Sequence, residues 1–250
     1  MSEPQQNKGI IDWFQAGVLA DRYLETILAD WKNTGLLLLQ APILAGLAVM
    51  VWQNLGEATN SLYFVMSLSA IWLGCMDACR EIVKERELFL REKMFNLNVA
   101  SYVFSKIRVL ALLNVVQVVL YSAILSKWVD TGVPIGWTII NLLFMTLCGT
   151  ALGRLISSSV RRSDYAVGLV PLVILPQILF SEFAISKDQF SGASEVVFNL
   201  MPSRWGYESL VEFSKADGDL LTATGKLIPL AIFSVIFLVI SWLILRRQKY

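Results

Sequence analysis

The densest set of chemically capable side chains in this 250-residue sequence is one run: Arg80-Glu81-Ile82-Val83-Lys84-Glu85-Arg86-Glu87-Leu88-Phe89-Leu90-Arg91-Glu92-Lys93-Met94-Phe95. Both charge signs alternate there with apolar residues, and Glu87 precedes Arg91 by four, a favourable helical pair. The pattern suits an amphipathic helix with a charged face, either a solvated loop helix or a docking surface for a partner. It does not suit catalysis. Histidine is absent from the chain, which removes His-based proton transfer, His metal sites and Ser-His-Asp triads. A phosphate-binding loop needs Gly-x-x-x-x-Gly-Lys-[Ser/Thr]. The single Gly-Lys pair, Gly225-Lys226, is followed by Leu227 and has the wrong spacing from Gly218. No catalytic residue, metal site or cofactor of its own is expected of this chain. Cys75, Cys79 and Cys148 fall in apolar windows and read as small buried hydrophobes.

Other ionisable groups stand inside apolar stretches, where each costs about 2.5–3.5 kcal/mol on insertion scales. Asp77 has Arg80 three residues on, so it reads as half of an interfacial ion pair or as a proton or substrate site. Lys106, Arg108 and Arg154 can snorkel toward an interface. Glu182 is either a bystander in a water-filled vestibule or a substrate contact. Asn114, Gln117, Asn141 and Gln177 suit hydrogen bonds between helices, and Gly149-x-x-x-Gly153 suits close helix packing.

These residues need elements to hold them. The chain is 56% hydrophobic and 16% charged, with a mean hydropathy of +0.59, where globular proteins carry about 25% charge. That composition describes an all-α polytopic membrane protein. The 21 basic and 20 acidic residues nearly cancel, which argues against a nucleic-acid partner. Six windows are long enough to span, at about 20 residues each: residues 35–53, 61–79, 99–126, 135–156, 165–183 and 227–245. Residues 10–32 mix aromatics with acids and bases and read as an amphipathic helix at the membrane surface or packed on a partner. Residues 184–226 form an outer segment, and the whole of 1–250 is one membrane domain. Lys8, Arg22, Lys32, the basic residues of 80–108, Arg154, Arg161, Arg162, Arg246, Arg247 and Lys249 fall on one side. Lys127, Lys187, Arg204, Lys215 and Lys226 are spread thinly on the other. The positive-inside rule then puts both termini in the cytoplasm of a cell whose inner (plasma) membrane holds the chain.

The stretch Gly74-Cys75 through Ala78-Cys79-Arg80-Glu81-Ile82-Val83-Lys84-Glu85-Arg86, with Phe89, Arg91-Glu92, Ser101-Tyr102 and Ser105-Lys106, resembles the membrane domain of G-type (ABC-2 type) ABC transporters. Gln40-Ala41-Pro42-Ile43, Pro176-Gln177-Ile178-Leu179-Phe180-Ser181 and Met201-Pro202-Ser203-Arg204-Trp205-Gly206-Tyr207-Glu208 match in the same order. The likeness spans residues 10–247 and is nearest to bacterial members, whose membrane domain is often fused behind an ATPase.

The resemblance implies a permease subunit of an ABC exporter. A second membrane subunit, identical or not, would pair with it, and a cytoplasmic ABC ATPase would dock below, holding ATP and Mg. Residues 80–95 would be the coupling helix, with Arg80, Glu81, Lys84, Glu85, Arg86, Glu87, Arg91 and Glu92 as its ATPase-coupling residues. Matching by position, Met66, Ala70, Leu73, Leu175 and Ile178 line the substrate path, or serve as plain helix packing. Phe183 forms the outer gate, and Glu182 is a vestibule contact. Leu73 stands where drug exporters carry a stacking aromatic, and the apolar lining implies a lipid-like or amphipathic cargo. Two other classes remain: a non-transporting membrane anchor or signalling partner of an ATPase, and an ion-driven secondary carrier, which predicts inverted repeats and paired intramembrane charges not seen here.

Overall fold

The computed structural model describes residues 11–55, 59–184, 191–215 and 220–248. Lys8, Lys187 and Lys249 lie outside the described residues. Among the described residues all regular structure is helical. In chain order the helices are α1 (Trp13–Ala29), α2 (Trp31–Trp52), α3 (Asn60–Ala78), α4 (Glu81–Lys84), α5 (Arg86–Met94), α6 (Val99–Trp128), α7 (Ile135–Ser159), α8 (Ser163–Leu179), α9 (Ala193–Asn199), α10 (Pro202–Ser214), α11 (Leu220–Gly225) and α12 (Ile228–Arg247).

Among the described residues, five stretches are long and apolar enough to cross a membrane: Trp31–Trp52, Asn60–Lys84, Val99–Trp128, Ile135–Ser159 and Leu220–Arg247. They fall on five of the six expected windows. The sixth, α8, has 17 residues and ends at Leu179 instead of Phe183. At about 1.5 Å per residue it is about 26 Å long, against a hydrocarbon core of about 30 Å. The physical reason for the early stop is local. Phe180 leaves helical geometry, and the Ser181 hydroxyl bonds the Ile178 carbonyl at 2.7 Å, competing with the helix ladder.

α3 is the most enclosed of these spans and packs along α7. The seam is made by small residues. A Cβ on Gly74 would lie 1.9 Å from the Thr146 carbonyl oxygen, one on Gly149 2.3 Å from that of Ile71, and one on Gly153 2.4 Å from that of Cys75. Backbone therefore meets backbone along two turns, the packing expected of the Gly149/Gly153 spacing. The Asn114 amide donates to Thr150 Oγ1 at 2.7 Å, joining α6 to α7. All three cysteines are buried and free.

α1 forms over the expected stretch, and its sequence explains its two sides. Ala16, Leu19, Ala20 and Tyr23 follow i, i+3, i+4, i+7 and are buried against the bundle, while Trp13, Phe14, Val18 and Leu28 are exposed. Its start is stapled to the start of α6. Asp12 caps α1 through Gln15 N, Ser101 Oγ accepts from Asp12 N at 2.8 Å, and Gln15 Oε1 accepts from Asn98 N at 2.8 Å. Asn98 caps α6 in turn.

At the far end of the bundle, α10 rests on α7 and α8. Asn141 Nδ2 donates to the Gly206 carbonyl and Gln177 Oε1 accepts from Ser203 N, both at 3.2 Å, so these amides bond between elements as expected. Arg204 Nε and Lys226 Nζ hold Glu208 at 2.6 and 2.7 Å, and the Arg204 guanidinium covers the Phe198 ring at 4.2 Å. Burial opposes ionisation of Glu208, but hydrogen bonds from Lys226 and Arg204 outweigh it and hold the carboxyl below its ordinary 4.5. A depressed folded-state value gives stability that is present above the ordinary value and lost as pH falls below about 4.5. Thermal unfolding of wild type minus Glu208→Gln should thus show a gap on the order of 1.5–3 kcal/mol at pH 7 that narrows as pH falls below 4.5 and through the lower folded-state value. A gap of constant size across that range would refute this.

Candidate functional site

The charged run does not make one helix. α4 ends at Lys84, Glu85 turns out of helical geometry with its N–H on the Ile82 carbonyl at 3.2 Å, and α5 begins at Arg86. This corrects the expected single helix over 80–95. The start of α4 is capped from outside the run: Ser157 Oγ of α7 accepts from both Ile82 N and Val83 N, at 3.0 and 3.1 Å. α5 ends at Met94 with Phe95 as its cap, followed by Asn96 in the left-handed region at φ 71°.

Most of the expected coupling residues are turned inward and tie this element to four others. Arg22 of α1 grips both carboxylate oxygens of Glu92, and Tyr23 donates to Glu81. Lys106 of α6 lies 2.6 Å from Glu85. Arg86 donates to the Val160 carbonyl after α7 at 2.7 Å. Lys93 caps the end of α12 through the carbonyls of Leu245, Arg246 and Gln248 at 2.8–3.0 Å. Phe89 is buried against Tyr102, with ring centroids 4.8 Å apart. Arg80 reaches across to Asn33 Oδ1 at 3.1 Å. What remains outward is Lys84, Glu87, Arg91, Met94 and Phe95. Lys84 is also within 3.7 Å of Asp30.

The electrostatics of this end follow from those contacts. The Glu92 carboxylate raises Arg22 above its ordinary value. Burial, with Glu81 adjoining, pushes the Tyr23 hydroxyl well up, so it stays a neutral donor. Burial lowers Arg86 and Lys93.

Three expectations for single charges are corrected here. Asp77 does not pair with Arg80: it accepts from Gln117 Nε2 at 3.1 Å, while Arg80 goes to Asn33. Lys106 does not snorkel. Only 3% of its side chain is exposed, and its ammonium lies between Glu85 and the Tyr23 ring, 3.5 Å from the ring centroid. Arg154 is wholly buried and donates to the Val103 carbonyl at 2.9 Å. In each case a residue distant in sequence supplies the partner that local spacing could not reveal. Ser157, Tyr23 and Gln248, which bonds the Ser158 carbonyl, had no signal in the charge pattern either.

The residues matched to a substrate path divide. Met66, Ala70 and Leu73 are buried in the core, Leu175 is exposed on α8, and Ile178 is half-buried. Phe183 is exposed and stacks on Phe64, with ring centroids 5.6 Å apart, and Phe64 meets Tyr207 edge-on. Burial of Tyr207 raises its hydroxyl, and Glu182, half-buried beside this trio, adds to the effect.

The arrangement is a membrane bundle with a charged two-helix element braced against one end. The sequence profile described as the ABC-2 type transporter matches residues 14–213. The chain belongs to the ABC-2 type transporter family. An ABC transporter ATP-binding/permease protein of Mycobacterium tuberculosis is 24% identical over 242 residues, covering 86% of this chain. The chain spans 26% of that protein's length. As an ABC-2 family member the chain is an ABC transporter membrane component, a permease part rather than the ATPase.

Proposed function

We propose that the chain is the permease subunit of an ABC exporter, working beside a second membrane subunit and driven by a cytoplasmic ABC ATPase that holds ATP and Mg. The observation that carries this is the two-sided build of α4–α5. Its inner side is bonded to α1, α6, the end of α7 and the end of α12, while Lys84, Glu87, Arg91, Met94 and Phe95 stay exposed. A push on that outer side reaches four helices at once. On this reading the charged end of the bundle, with both termini, faces the cytoplasm, and ATPase docking falls to Lys84, Glu87 and Arg91. Glu81, Glu85, Arg86 and Glu92 pass the motion on.

Cargo would move outward past Phe183 as the spans alternate. Leu172, Leu175, Leu179 and Phe183 form an exposed apolar stripe continuing from α8, open to a second subunit or to cargo, which supports a lipid-like or amphipathic substrate. Met66, Ala70 and Leu73 would join that path only if α3 parts from its neighbours. Glu182 would sit at the outer mouth.

The test is capture of the tagged full chain from native membranes, identification of any co-purifying ATPase, and ATP-dependent transfer of fluorescent phospholipid into inverted vesicles. Reversing the outward charges together (Lys84→Glu, Glu87→Lys, Arg91→Glu) should lower ATPase recovery and transfer at least tenfold while leaving thermal stability within about 1 kcal/mol, as surface changes do. ATPase recovery without ATP-dependent transfer would favour the anchor reading. Transfer driven by an ion gradient without ATP would favour a carrier.

A further inference from the structure

A small polar cavity of about 40 Å³ lies beneath α1 and α2 at the charged end, room for water by the usual one-site requirement of about 10–15 Å³. Its wall includes Asp30, Asp77, Glu81, Lys84 and Glu85. Three of these carboxylates are answered. Asp30 has Lys84 at 3.7 Å, Glu85 has Lys106 at 2.6 Å, and Glu81 receives the Tyr23 hydroxyl under the field of Arg154 from α7. Asp77 is different. It is 2% exposed, its Oδ1 receives a neutral amide from Gln117, and its Oδ2 has no partner. The same amide nitrogen is shared with the Leu37 carbonyl at 3.0 Å, and Gln117 Oε1 is also without a partner. The junction of α2, α3 and α6 thus holds two buried acceptors and too few donors. α2 adds the neutral Asn33, Thr34 and Leu37 to the cavity wall, and α6 adds Leu110 and Leu113.

We propose that Asp77 is a proton-binding site: it carries a proton in this conformation and exchanges it with the solution at the charged end through the cavity. A proton on Oδ2 turns one of the two unanswered acceptors into a donor and removes a charge that no cation offsets. Opening the cavity to water reverses this, Asp77–COOH giving Asp77–COO⁻ and H⁺, so the tie between α2, α3 and α6 becomes sensitive to pH. A metal ion fits less well, since no group of three or more ligating side chains is found among the described residues, where a hard cation seeks six or more oxygens.

Infrared spectra of the full chain in nanodiscs at pH 7 read the protonated-carboxyl stretch directly, and they need neither cargo nor ATPase. Their failure would therefore leave the transporter reading untouched. The expected result is a protonated-carboxyl band that shifts in D₂O, is lost in Asp77→Asn and returns in Asp77→Glu. If Asp77→Asn does not fold, wild type labelled at aspartate carboxyl carbon decides. Asp77 is the buried aspartate among the described residues, so the band should move with the label. Absence of the band at pH 7, a band unmoved by label or substitution, or a carboxylate stretch that responds to sodium or potassium instead would overturn the proposal.

Discussion

Gly74→Val should abolish recovery of folded chain from membranes, whereas Gly168→Val should be tolerated. A side chain at Gly74 begins 1.9 Å from the Thr146 carbonyl oxygen and 2.8 Å from Thr150 N, both backbone atoms that cannot swing aside, while nothing lies within 4 Å of a Cβ on Gly168. Overpacking usually costs about 1–3 kcal/mol when side chains can adjust. Here α3 and α7 would have to separate along their whole seam, because Gly149 and Gly153 make the same backbone contact with Ile71 and Cys75 one and two turns away. Size-exclusion profiles and thermal unfolding in detergent measure the effect. Gly206→Ala gives a graded comparison, since the atoms nearest its Cβ belong to the Met145 side chain, which is flexible enough to yield. A Gly74→Val protein as stable as wild type would refute the seam as the organising contact of the bundle.

The second large effect concerns Glu85 and Lys106, and it is asymmetric. Glu85→Gln strands the Lys106 ammonium at 3% exposure, with the Tyr23 and Tyr102 rings and the weaker field of Glu81 left to answer it. Breaking a buried pair from one side costs about 3–5 kcal/mol. Lys106→Met strands Glu85 instead, but that carboxylate is 22% exposed and can turn toward water, so the loss should be smaller, about 1–2 kcal/mol. The double variant should recover most of the loss, because replacing both partners removes the uncompensated charge. Equal losses from the two single variants, or losses that simply add, would show that the pair is not the unit. On the proposed function, the same substitutions should also lower cargo transfer per ATP hydrolysed, since Glu85 sits at the break through which α4 and α5 move together.

Those two predictions also mark where sequence reading stops. Five spans, the amphipathic helix α1 and the location of the charged element were legible because they depend on composition within a window: apolar length, a 3.6-residue period and a dense charge cluster. The Gly149/Gly153 spacing announced close packing, but not that α3 would be the partner or that Gly74 would complete the seam. The sequence also marked residues 80–95 as special, yet it could not show which side faces outward. Of the eight expected coupling residues, Lys84, Glu87 and Arg91 are exposed, while Glu81, Glu85, Arg86 and Glu92 are spent on contacts inside the chain and Arg80 reaches to Asn33.

By itself, then, the sequence determined that this chain is a helical membrane domain, because crossing a bilayer constrains local composition and that constraint is written residue by residue; its likeness to ABC transporters rested instead on particular stretches such as Arg80–Arg86. Only the tertiary structure decided the partners of its charges. Asp77 prefers Gln117 of α6 to Arg80 one turn away, Lys106 goes inward to Glu85, and Arg154 turns to the Val103 carbonyl, since a buried polar or charged group takes the best donor or acceptor that packing brings within reach, however far off in sequence.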